Sequence, residues 1–73
     1  MTMTIQAARI AGPVSYVAAS GRELNLPLGP CLVERMNDAL TDIVWGADGQ
    51  NSTAMPSDAV QAARDRGHLI LLD

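Results

Sequence analysis

Phenylalanine and lysine are absent from this chain, and cysteine, histidine, tryptophan and tyrosine each occur once. Each shortage removes a class of molecule. A lone cysteine, Cys31, leaves no disulfide within the chain. Cys31 and His68 together cannot supply the four Cys/His ligands of a structural zinc site. Without lysine there is no Gly-Lys-Ser/Thr ending, so Gly46-Ala47-Asp48-Gly49 reads as a turn and not as a phosphate cradle. The cations are five arginines, dispersed along the chain and outnumbered by eight carboxylates for a net charge of −3. Nucleic-acid binding draws on cation-rich faces that displace counterions, and this balance disfavours it.

Long hydrophobic runs are missing too. The apolar run Leu69 to Leu72 is far below the ~18 residues that suggest a membrane-spanning helix. The opening MTMTIQAARIAG lacks the basic start and apolar stretch of a secretory signal, so the expected localisation is cytoplasmic. Without export, the sequon Asn51-Ser52-Thr53 reads as loop chemistry.

What is present is an aliphatic chain. Apolar residues make up 48% of the sequence, too many for a disordered polymer, but eleven of them are alanine. The core is therefore expected from Leu, Ile, Val and Met, with Trp45 as its largest piece. Seventy-three residues suffice for one domain spanning 1–73. A chain this short leaves roughly 40% of its extended-chain surface wet, so close packing or self-association must supply what disulfides and metals do not. On this argument a homodimer and a monomer stand level.

Turn signals divide the chain at short intervals. Residues 1–12 read as a frayed strand or a flexible arm, ended by Gly12-Pro13. Pro13 to Ser20 and Glu23 to Leu28 read as a hairpin, with Leu24, Leu26 and Leu28 alternating against Glu23, Asn25 and Pro27. Pro27 has no backbone donor and places the second run at an edge or stops it. Cys31 to Met36 and Leu40 to Trp45 are further strands, the latter rich in β-branched and aromatic residues. Asp48-Gly49 favours a type I′ turn leading to a return strand over Asn51 to Met55. Ser57 is a good N-cap for a helix over Asp58 to Arg66, with buried stripe Ala59, Val60 and Ala63, and Gly67 ends it. His68 to Leu72 is a final strand whose continuous apolar run predicts burial on both faces.

The expected fold is mainly β with a minor α part: five or six short strands in a small twisted sheet or barrel, and one short helix before the last strand. From Pro13 onward this element order resembles that of SH3-like small barrels, and the resemblance implies architecture only. The competing architecture is an open α+β sheet with the helix on one face.

No catalytic or metal-binding constellation stands out. Cys31 and His68 could form a nucleophile–base pair only if folding brought them together, and cysteine more commonly serves as a small buried apolar group. His68, just after Gly67, suits the carboxyl end of the helix. Asp42, Asp48, Asp58 and Asp65 are scattered. The chain therefore reads as non-enzymatic, with no cofactor. The leading expectation is a protein-interaction module that binds a protein partner or itself through an exposed strand edge. A small acidic inhibitor or accessory protein of a phage or mobile element is the alternative, and a single-stranded nucleic-acid-binding barrel the next. The candidate interaction surface is Tyr16 and Trp45 beside Arg22 or Arg35.

Overall fold

The fold is that of a computed structural model, which describes residues 4–72. It is mainly β. In order along the chain come β1 (Thr4–Ile10), β2 (Ser15–Val17), β3 (Glu23–Asn25), β4 (Gly29–Arg35), β5 (Leu40–Trp45), β6 (Asn51–Pro56), α1 (Ser57–Asp65) and β7 (Leu69–Leu71). Five strands form one antiparallel sheet in the order β6-β5-β4-β1-β7, and β2 and β3 form a separate hairpin. Among the described residues the large sheet does not close into a barrel. β6 and β7 are its two edges, and α1 carries the chain across one face from the first edge to the second.

Side chains on a strand alternate between faces, and here one parity makes the core. Ala8 and Ile10 of β1, Cys31 of β4, Ile43 of β5, Met55 of β6 and Leu69 of β7 are buried together. On that same face Val60 and Ala63 of α1 and Val14 and Leu26 of the hairpin complete the cluster. The fully buried large side chains are Ile10 and Ile43. Trp45 is only half-buried at the core margin, so it is not the core's largest piece as composition suggested.

Several local expectations need correction. The segment read as a frayed strand or arm holds β1, which pairs with β4 on one side and β7 on the other. Residues 1–3 of it lie outside the described residues. In the hairpin the pairing stops before Pro27, as its missing donor implies, but the alternating leucines do not share one buried face. β3 stops at Asn25, Leu26 is buried, and Leu28 is 71% exposed. The β5–β6 loop is not type I′, because that turn requires positive φ at both central residues. Gly49 has φ 66°, but Asp48 does not lie at positive φ. The amide of Gly49 instead donates to Gly46 O at 3.2 Å, centring the turn on Ala47-Asp48.

The helix starts at Ser57 with Pro56 as its N-cap and no side-chain cap. The Ser57 hydroxyl is engaged elsewhere, 2.8 Å from Oγ1 of buried Thr41, which it satisfies. At the other end the Gly67 amide donates to Arg64 O and the His68 amide to Ala63 O. This paired closure, with Gly67 at φ 75°, is a Schellman motif.

His68 then locks the chain's two halves together. Its carbonyl accepts from the Ala11 amide at 2.7 Å, and its Nδ1 donates to Pro13 O at 2.9 Å. The ring lies so close to Gly12 that a Cβ there would stand 2.5 Å from Cδ2. Gly12→Ala should therefore cost about 1–3 kcal/mol through overpacking, and thermal melts should show most of that penalty vanish in a His68→Ala background. An equal penalty with and without the ring would refute the steric explanation.

Candidate functional site

The second face of the large sheet carries the opposite parity of every strand, and no described residue covers it. Register places its side chains in rows across the strands. The central row runs Leu72, Ala7, Leu32, Val44, Ser52, joined by the pairs Ala7↔Leu32, Leu32↔Val44 and Val44↔Ser52 and by the Leu72 amide donating to Ala7 O at 2.8 Å. One flanking row holds Ile5, Glu34, Asp42 and Ala54, and the other Ile70, Arg9 and Pro30. Ile5 is 58% exposed, Ile70 46%, and Leu32 and Leu72 each 43%.

This face has an apolar middle with charge of one sign on each side. Glu34 and Asp42 lie directly opposite each other on β4 and β5, while Arg9 lies two rows away on β1. A shallow hollow of about 460 Å³ lies at the middle, walled by Pro30, Leu32, Val44 and Leu72 and bounded by the Gly46–Gly49 turn. The burial expected on both faces of the last strand is present on one only: Leu69 is buried, while Ile70 points to the uncovered side.

A second, open cleft of about 660 Å³ lies between α1 and the first-face ends of β1, β4 and β5. Arg35, Arg64, Asp58 and Gln61 are among its walls. Arg35 already pairs with Asp38 at 3.1 Å and Arg64 with Gln61 at 3.4 Å. Its mixed charge selects no ligand class.

The residues singled out from sequence do not form one surface. Tyr16 and Trp45 do meet, edge to face, with ring centroids 5.4 Å apart. Both are half-buried and pack against the core. Arg22 is exposed at the hairpin tip, where its carbonyl accepts from the Ala18 amide. Arg35 pairs in register with Thr41, four residues and about 13 Å along β5 from Trp45. The surface that composition hid is aliphatic. Its signal was apolar residues on both parities of β4, β5 and β7, with one short helix to cover them.

Cys31 is buried, and burial pushes its thiol above the ordinary cysteine range. A nucleophilic cysteine needs the opposite shift. His68 has its Nδ1 committed to Pro13 O. Among the described residues no group of three or more His, Cys, Asp or Glu side chains is placed to hold a metal ion. Among the described residues no helix is long and apolar enough to cross a membrane.

The raised thiol has a consequence at alkaline pH. Well below the ordinary thiol pKa of about 8.5 both folded and unfolded thiols are protonated and Cys31 adds no pH dependence. As pH rises through that value the unfolded thiol ionises first, the folded state binds more protons, and stability falls. Urea melts between pH 7 and 10 should show this loss in the wild type and a shallower one in Cys31→Ala. Identical slopes would mean that Cys31 ionises as freely in the fold as outside it.

Comparison with protein-family models, with curated proteins and with solved structures found no match to this chain.

Proposed function

We propose that this chain is a protein-interaction module without enzymatic activity, and that it engages a flat protein surface, apolar at its centre and charged at its rim, through the uncovered face of the five-stranded sheet. The observation that carries this reading is the central row Ala7, Leu32, Val44 and Leu72, with Ile5 and Ile70 beside it. Contiguous exposed apolar patches are rare on soluble monomers and mark binding surfaces when rimmed by polar groups. Arg9, Glu34 and Asp42 form such a rim.

The face serves this role better than the strand edges do. β7 is three residues long, and β6 ends on Pro56, which has no amide to donate. Short strands and proline are how proteins blunt an edge against pairing. The face offers a wide, pleated surface of the kind that packs sheet on sheet.

The test is binding by the wild type against Leu32→Arg, with Arg22→Glu at the hairpin tip as a remote control. The expected result is that Leu32→Arg loses the bound protein and Arg22→Glu keeps it. Equal binding by all three would place the contact elsewhere.

A further inference from the structure

We infer that the occupant of the uncovered face is a second copy of this chain, packed face to face about a two-fold axis that runs across the strands along the Ala7–Leu32–Val44 row. This rests on the interaction-module reading and adds the partner and its orientation.

Charge placement on the face selects the axis. Two identical sheets stacked face to face can be related by a two-fold axis lying along the strands or across them. An axis along β4 sets Glu34 against its own copy and leaves both acidic pairs, Glu34 with Asp42, at the same end of the stack. Like charges juxtaposed in an interface are unfavourable. An axis along the central row exchanges the two flanking rows. The row of Ile5, Glu34 and Asp42 then faces the partner's row of Ile70, Arg9 and Pro30.

Under this operation Arg9 of one copy lies over Ile5 of the other, offset by one strand spacing of about 4.8 Å from Glu34 across a sheet separation of about 10 Å. An arginine and a glutamate side chain reaching toward each other span that gap, and the two-fold makes the ion pair twice. The central row meets itself, so Leu32 packs against Leu32 and the hollow beside it is filled by the partner's aliphatic side chains. Such an isologous contact needs one self-complementary patch and closes at two subunits.

The size of the face agrees. A standard interface takes about 800 Å² from each partner, and five strands about 4.8 Å apart and up to seven residues long give the sheet a flat footprint of roughly 500 Å², to which the relief of its side chains adds. A chain of 7.7 kDa with one cysteine and no metal cluster among its described residues also gains from a partner what it lacks in core.

Sedimentation velocity on the full chain from 1 to 500 μM tests this, with circular dichroism confirming that each variant is folded. The wild type should sediment at twice 7.7 kDa. Arg9→Glu and Glu34→Arg should each weaken the dimer at least tenfold, and the double variant Arg9→Glu/Glu34→Arg should recover most of the loss. A dimer indifferent to both single reversals overturns the proposed axis. A wild type that stays at 7.7 kDa throughout overturns the second copy. In that case capture of another protein, lost in Leu32→Arg, would leave the interaction-module reading standing, and its absence would remove both.

Discussion

Replacing Ile43 by alanine should lower the thermal midpoint by roughly 10–30 °C, enough to leave much of the protein unfolded at 37 °C. Ile43 is 1% exposed and sits on β5, an inner strand between β6 and β4, flanked in register by Val33 and Thr53 and buried in one cluster with Val60 of α1. Truncating a buried isoleucine removes its transfer free energy and leaves a cavity, at a cost of about 2–5 kcal/mol. A domain of this length holds only about 4–11 kcal/mol in total, at 0.05–0.15 kcal/mol per residue. One kcal/mol moves the midpoint of so small a domain by about 4–8 °C. Thermal unfolding followed by circular dichroism at fixed protein concentration is the measurement. Leu28→Ala, at a side chain that is 71% exposed, is the control and should change stability by no more than about 0.5 kcal/mol. Similar midpoints for the two variants would mean that the core is not organised around β5.

That contrast between a side chain inside the core face and one outside it was only partly legible from the amino acids. The strand Leu40 to Trp45, the helix after Pro56 and the short strand after Gly67 all emerge with their type correct. Their signals are local: β-branched residues in a row, a proline entry, and glycine at the Schellman position. The hairpin and its early end at Pro27 were local as well.

The place of β1 was not legible, because nothing local marks it. Its inward residues Gln6, Ala8 and Ile10 scarcely differ in hydropathy from the outward Ile5 and Ala7, so no period of two stands out. Its identity as an inner strand comes from pairing with β4, some twenty residues away, and with β7 near the other end. Ser57 failed as a cap for a similar reason. Its hydroxyl is held by Thr41, a contact that only the tertiary fold creates.

The candidate site was missed because attention to aromatic anchors favours Tyr16 and Trp45, which the fold places at the core margin. The aliphatic residues that line the uncovered face were visible as neighbours of core residues: Leu32 beside Val33, Val44 beside Ile43, Ile70 between Leu69 and Leu71. Read as single strands they suggest burial on both sides. The only helix among the described residues, α1, covers one side together with the hairpin. The mismatch between two apolar parities and one covering layer is the observation on which the proposed partner rests. It could be read only once the strand order was known.

Leu32→Arg should separate binding from folding, weakening association by at least a hundredfold while leaving the thermal midpoint of the dissociated chain nearly unchanged. Leu32 is 43% exposed in the isolated subunit and stands at the centre of the uncovered row, between Ala7 and Val44. Folding alone does not bury it fully, so an arginine can extend along the pleat with its guanidinium in water, and surface substitutions of this kind shift stability by about 0.5 kcal/mol. In the proposed interface it is buried. Losing a leucine from an interface centre forfeits about 1.5–3 kcal/mol of apolar burial. Enclosing an unpaired guanidinium adds several kcal/mol of desolvation. In a two-fold dimer the penalty is aggravated, since each new cation faces its own copy. Sedimentation velocity and thermal melts on the same samples read both halves of the expectation. An unchanged mass distribution would mean that the row is not a contact surface. A midpoint lowered as far as that of Ile43→Ala would mean instead that Leu32 belongs to the core, and that the second face is closed in solution by the chain itself.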